Sequence, residues 1–312
     1  MKPEPTLRTA PEYPESALPP HVQKLARPEP LQAATQLAFL RFEKTDLLAA
    51  ERFWTDFGLI TVSRSRNELV MRCANDSPAV LTARKGTTSR FLGAAFVIPH
   101  HSDVTRLQRE FGATPLQPQH IPGGGAGVSL KDPDGNEIWL LTAWSTVSPL
   151  PQRAPLHHQM NTLGDMPRVN STIRSPIEPS TVGRLGHFVL QTTRFKEMTH
   201  WYMRVLGIIP TDVQYLEADG EPMLTFFRLN LGDTPADHHT VVIASGLEPK
   251  YEHSAWEVVD LDALGQGQQV LRANGHEHMW GIGRHVLGSQ LFDYWKDPDG
   301  FEFEHYTDGD VF

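Results

Sequence analysis

Cysteine is almost missing from this chain: Cys73 is the single one in 312 residues. One thiol excludes an intrachain disulfide, speaks against a cysteine-built structural zinc site, and fits a reducing, cytoplasmic setting. No apolar run approaches the roughly 18 residues that a membrane-crossing helix needs, so no membrane span is expected. The first residues also lack the apolar core of a signal peptide. Basic blocks are absent too. With a formal charge of −9 and pI ≈ 5.9, nothing offers a surface to nucleic acid or anionic lipid. What is present is ordinary globular material: 39% hydrophobic, 21% charged, seven tryptophans. The length predicts about two domains.

Proline marks the organisation. Residues 1–33 hold eight prolines and read as an arm. Residues 145–182 hold six, with the polar run NTLGDMPRVNST, and read as a linker. Leu150, Leu156, Met160 and Ile177 suggest that this linker packs along a domain surface. The remaining regions, 34–144 and 183–312, repeat one another. LAFLRFEKTDLLAAERFWTDFGLITV (37–62) parallels LGHFVLQTTRFKEMTHWYMRVLGIIPT (185–211): a strand, a turn, an amphipathic helix ending at Gly58 or Gly207, and another strand. The expected buried helix faces are Leu48, Phe53 and Phe57 in one copy, and Phe195, Met198, Tyr202 and Leu206 in the other. Each copy closes on an Asp-Pro-Asp-Gly turn and a last strand, KDPDGNEIWL (131–140) and KDPDGFEFEH (296–305). The offset is 148 residues at the first strand (187 against 39) and 165 at the last (296 against 131), so the second copy is longer in its middle by about 17. Such a repeat is the strongest architectural signal in the chain.

The repeat exposes its own exceptions. At the first strand His187 replaces Phe39; at the last, Glu304 replaces Trp139. Twice, a group able to bind metal stands where the twin has an aromatic ring. The middle of the second copy adds His239, heading the apolar strand 240–244, and His253, opening the strand 254–258; the starts of neighbouring strands can approach one point. Two histidines and a carboxylate on one face of a metal form the facial triad of non-haem Fe(II) oxygenases, and the same donors suit Mn(II). His187, His253 and Glu304 lie on three separate strands, as a triad needs. The plainer alternative is that buried histidines are hydrogen-bonded rather than ligating. His100, His101, His157, His158, His276 and His278 take that plainer reading, and Glu302 too, since its twin Glu137 survives in the other copy. Between His238 and His239 an extended strand lets one face the metal.

Over roughly 183–308 the sequence resembles the type I extradiol ring-cleaving dioxygenases of the vicinal oxygen chelate superfamily. LGHFVL resembles the strand with the first metal histidine, YEHSAWEV the segment with the second, and DPDGFEFEHY the final strand with the glutamate. The resemblance implies His187, His253 and Glu304 as ligands of Fe(II), with Mn(II) as an option. It places His239, in DHHTVVI, on the acid/base histidine. His285 and Tyr294, in GIGRHVLGSQLFDYW, fall on the substrate-facing histidine and tyrosine. It implies an α+β fold with paired βαβββ modules forming a cupped barrel in each domain, the first without metal. The implied reaction is extradiol cleavage of a catechol with O2 by a homo-oligomer. Departures are the proline-rich arm and the long linker. Rival functions are cleavage of a hydroquinone with the same triad, a glyoxalase-like metal-dependent isomerase or transferase, and a bleomycin-sequestering type of binding protein. Phe39 and Trp139 argue against the isomerase, whose ligands usually come from both modules. The retained triad argues against the binding protein. Pocket walls are expected from 223–231, 254–258 and the end HYTDGDVF, with Trp256 and Phe227 either core or pocket.

Overall fold

The computed structural model describes residues 21–99, 104–156, 159–174 and 176–312. His100, His101, His157 and His158 lie outside the described residues, as do residues 1–20 of the arm. The first half runs β1 (Gln36–Lys44), α1 (Leu47–Asp56), β2 (Ile60–Arg64), β3 (Glu68–Arg72), β4 (Leu81–Lys85). It continues as β5 (Arg90–Val97), α2 (Val104–Phe111), β6 (Thr114–Pro115), β7 (Ala126–Lys131) and β8 (Glu137–Ala143). That is βαβββ, twice. The second half repeats it with β9 (Val182–Thr192), α3 (Phe195–Leu206), β10 (Ile209–Tyr215), β11 (Pro222–Arg228) and β12 (Val241–Ser245). Its second module is β13 (Lys250–Val258), α4 (Leu261–Ala273), β14 (Glu277–Arg284), β15 (Leu291–Lys296) and β16 (Glu302–Thr307).

Strand order is the same in both sheets, β2-β3-β4-β1-β5-β8-β7-β6 and β10-β11-β12-β9-β13-β16-β15-β14. Within a module the first strand pairs parallel with the last; the two modules join through antiparallel β1–β5 and β9–β13. The paired-module α+β architecture is therefore present in both halves. Among the described residues no pairing closes β2 on β6 or β10 on β14, so each cup is an open sheet and not a closed barrel.

Local chemistry explains the helices. Asp46 caps α1 by accepting from the Leu48 and Ala49 amides, which starts the helix at Leu47. The buried stripe is then Leu47, Ala50, Phe53, Trp54 and Phe57, while Leu48 is 58% exposed. The expectation for Leu48 was one residue out, because the cap sets the phase. In α3 the face Phe195, Met198, Tyr202 and Leu206 is buried as its spacing predicts, and Gly207 ends the helix at φ +66°.

Register locates the extra length. Leu40 pairs with Leu81 and its counterpart Phe188 with Val241, an offset of 160 for β4 and β12. Of the 17 extra residues, 12 thus precede β12 and the other five follow it. Part of the excess is the 229–240 loop, which carries His238 and His239.

The halves share one core. Phe42 of β1 contacts Tyr251, Phe301 and Phe303 of the second half at ring-centroid distances of 5.3, 5.5 and 6.1 Å. Each Asp-Pro-Asp-Gly turn is held by the opposite half. Lys44, fully buried, bonds Asp297 and lies 3.1 Å from Asp299; Tyr202 donates to Asp132 at 3.0 Å. Along 145–182, Leu150 donates to the Ala74 carbonyl, and Arg153 and the Leu156 amide grip Asp260. Leu150 and Leu156 are half-buried, but Met160 is exposed and Ile177 is 81% exposed; those two do not pack as expected. Leu31 of the arm and Ala34 just after it donate to carbonyls of α3.

Candidate metal centre and active site

Ala255 of β13 pairs with His187 of β9 on one side and with Glu304 of β16 on the other; Glu304 pairs in turn with Tyr294 of β15. Residues directly opposite one another in a sheet share a face, so these four form one row. His253, two residues before Ala255, projects from the same face. The alanine methyl leaves the space over which the longer side chains converge. His253 sits inside β13 and does not open it; His239 lies in the loop two residues before β12; and β9 separates these two strands. Convergence comes from a shared sheet face, not from neighbouring strand starts as the sequence suggested.

His187 Nε2 and His253 Nε2 each lie 3.4 Å from Glu304 Oε2, and donor atoms of the three residues all fall within 4.8 Å of one another. His285 Nε2 stands 3.4 Å from Glu304 Oε1 and 3.0 Å from the Tyr294 hydroxyl. Glu304 is completely buried, and neither of its oxygens has a hydrogen-bond partner. A buried carboxylate ringed by imidazoles at ion-pair distance, with no hydrogen bond among the described residues, is an arrangement that a cation would complete. The donor set fits Fe(II) or Mn(II). Burial alone would raise the Glu304 pKa; the three facing histidines outweigh it and hold the group well below the carboxylate range. Burial lowers His187, and pushes His239 well below the ordinary histidine value with help from His187 and His238. Tyr294 is raised well above its usual value by burial and then by Glu304. At rest, then, burial favours neutral imidazoles at His187 and His239 and a neutral phenol at Tyr294, beside the Glu304 anion.

His239 Nε2 lies 3.3 Å from His187 Nε2. The cavity beside these groups measures about 300 Å³ and is walled by Val189, Leu224, Phe226, Val242, Val286 and Leu287. Leu224 and Phe226 match the expected wall at 223–231. The 254–258 stretch contributes none, since Trp256 is core, as is Phe227. The carboxyl end acts differently from expected: Ala236 and Phe312 exchange backbone hydrogen bonds, and the His238 amide donates to Asp310, so the tail buttresses the His238-His239 loop. Two histidines read as hydrogen-bonded are so, His276 to Asp56 and His278 to Asp293, both at 2.8 Å. Glu137 pairs with Arg41 at 2.8 Å, whereas the Glu302 carboxyl is pushed up by burial. The sequence missed three residues. His238, near the end of the 229–240 loop, is buried, 2.7 Å from Asp212 and 2.9 Å from His239. Gln290 lines the cavity with its Oε1 unpartnered. A histidine doublet was the available signal for the first; a lone Asp or Gln gives none.

Residues 184–305 match the model of the Glyoxalase/Bleomycin resistance protein/Dioxygenase superfamily. This half carries a domain of that superfamily. The match includes every residue of the centre just described. Around the superfamily domain, the whole chain is similar to metapyrocatechase 2 of Cupriavidus necator, with 27% identity over 90% of this chain and 83% of that protein. It is 24% identical to an iron-dependent extradiol dioxygenase of Rhodococcus jostii (strain RHA1), over 88% and 89%. In fold it resembles the Mn(II)-bound glyoxalase of Novosphingobium aromaticivorans (TM-score 0.72, 21% identity, 90% of this chain and 84% of that one). It also resembles homoprotocatechuate 2,3-dioxygenase of Brevibacterium fuscum (TM-score 0.71, 19% identity, 92% and 85%).

Proposed function

We infer that the protein is an extradiol dioxygenase that opens a catechol ring with O2, using Fe(II) held by His187, His253 and Glu304. Residues 183–312 act as the catalytic half and 34–144 as its metal-less support. The observation that carries this reading is the buried, unpartnered Glu304 carboxylate facing two ligand-ready imidazoles, in a chain similar to extradiol dioxygenases over most of its length. Ferrous iron in such a donor set supplies open positions for a chelating diol and dioxygen, and redox contact between them.

The chain's own groups do the rest. His239, buried and neutral, accepts a hydroxyl proton of the catechol at Nε2. Tyr294 and His285, hydrogen-bonded to each other beside Glu304, offer protons to oxyanions that develop during ring opening. The apolar walls keep water away and strengthen those contacts. Among the described residues no lysine or arginine lines the cavity, which supports a catechol with uncharged ring substituents. Exposed Met279, Trp280 and Ile282 on the edge strand β14 support a homo-oligomer, and the single, buried Cys73 a reducing cytoplasmic setting. Light scattering checks the former.

The test is anaerobic loading with Fe(II), followed by air and a panel of catechols, with O2 uptake and visible absorbance read together. One O2 consumed per yellow ring-fission product is the expected result. Bound iron with no uptake on any catechol overturns the proposal in favour of hydroquinone cleavage or non-redox isomerisation.

A further inference from the structure

We propose that Asp212 and His238 are positioning residues that hold His239 with Nδ1 protonated and Nε2 bare toward the metal centre. The inference rests on the reading of His239 as the proton acceptor, and it is carried by a continuous run of contacts. Asp212 Oδ2 lies 2.7 Å from His238 Nε2; His238 Nδ1 lies 2.9 Å from His239 Nδ1; His239 Nε2 points at His187 Nε2 from 3.3 Å. A carboxylate only accepts, so His238 carries its hydrogen on Nε2. An imidazole with its one hydrogen on Nε2 is bare at Nδ1, and the facing Nδ1 of His239 then donates. That leaves His239 Nε2 bare, which is the state a proton acceptor needs.

The surroundings fix this arrangement. The Phe226 ring stands edge-on to both imidazoles, with centroids 5.5 and 5.1 Å away, and Phe312 packs on His238 at 5.6 Å. At Gly288 an added Cβ would lie 3.2 Å from His238 Nδ1, so that side is closed too. His238 is buried, whereas the Asp212 side chain is 42% exposed; the series runs from the surface to the centre. Asp212 is aimed inward by the register break between Pro210 and Asp212 in β10. The first half lacks all of it. With Leu81 matching Val241, Pro78 and Ala79 stand at the places of His238 and His239, and Ser63 matches Asp212 across the equivalent break. The device accompanies the ligands and is not a leftover of the repeat.

Two readouts test it. In the full-length protein loaded with Zn(II), ¹⁵N imidazole NMR identifies which His239 nitrogen is protonated, assigned by loss of its signals in His239→Gln. The expected result is a protonated Nδ1 in the wild type, conversion toward Nε2–H in Asp212→Ala, and retention in Asp212→Asn, whose Oδ1 still accepts from His238. In Fe(II)-loaded protein, Asp212→Ala lowers kcat about tenfold, the scale of one lost charge-assisted hydrogen bond. KM and iron content stay unchanged, and Asp212→Asn keeps most of the activity. Nε2–H in the wild type, or a tautomer indifferent to Asp212→Ala, overturns the proposal. Because the NMR result needs no turnover, it decides the matter even if every catechol fails, and the two readings stand or fall separately.

Discussion

In the first sheet Phe39, Ala95, Trp139 and Ser129 stand in one row across β1, β5, β8 and β7; in the second, His187, Ala255, Glu304 and Tyr294 stand in the same row across β9, β13, β16 and β15. The alanine is common to both. Around it the first half places rings: Phe39 meets Trp139 edge-on at 6.0 Å, and the Arg41 guanidinium lies 3.7 Å over the indole. The place of His253 is taken by Gly93, whose φ is +144°, and any Cβ there would strike the Glu137 carbonyl at 1.9 Å. One scaffold therefore supports either a hydrophobic filling or an ion site, and backbone contact bars the first half from the second choice. The fillings differ in cost. Burying a large ring contributes about 1.5–3 kcal/mol, whereas a buried charge without its counter-ion costs several kcal/mol.

The strongest way to break the contrast is to remove a ligand. His253→Ala should lose bound iron and all ring cleavage. His239→Ala should keep its iron while kcat falls about 10²–10⁴-fold, the usual worth of a proton-transfer group. Iron analysis of the purified variants checks both, and equal iron loss in the two would sink the division of roles. In the first half, Trp139→Ala should cost about 3–5 kcal/mol of stability as a core truncation. Its kcat per folded molecule should match wild type, as denaturation and kinetics together will show. Stripping iron with a chelator should destabilise the protein by about 2.7 kcal/mol if the metal was held at a hundred times its Kd. The fall should disappear in Glu304→Gln, whose site no longer needs the cation. A carboxylate on the catechol ring should lower kcat/KM about tenfold relative to a methyl group, because among the described residues no lysine or arginine lines the walls to meet a desolvated charge.

The smallest effect lies at the linker. Burial raises the Asp260 pKa, but hydrogen bonds from Arg153, Leu156 and Ala263 outweigh it and leave the group below its ordinary value. A carboxyl lowered by folding stabilises above its unfolded pKa, near 3.8, and that stability fades as pH falls through the folded value. Melting temperature should therefore drop below about pH 4, and Asp260→Asn should flatten part of that drop. An unchanged slope would remove Asp260 from the account.

The duplication was legible because the Asp-Pro-Asp-Gly turns survive in both copies, and it made His187 and Glu304 conspicuous against Phe39 and Trp139. The strand, helix and strand that open each copy follow from alternation and turn residues, whereas the paired βαβββ order is what the family resemblance implies. The rest depends on contacts that no local pattern encodes. Leu48 was misplaced because one capping aspartate shifts a helical stripe by a residue. His253 reads as a strand start since a polar residue within an apolar strand resembles its edge, whereas it lies inside β13 on the face shared with His187 and Glu304. Asp212 gives no signal in the sequence: a lone acid in a strand acquires meaning when a lengthened loop folds His238, 26 residues on, back onto it.

Ala255 and its neighbours carry one more implication. Of the three proposed ligands, His187 belongs to the first βαβββ module of its half, and His253 and Glu304 to the second. A cation gripped by all three straddles the seam where the modules meet, like a rivet through two plates. Neither plate can hold it alone, so retention of the ion reports that the seam is correctly closed, and loosening the seam at any distance should loosen the rivet.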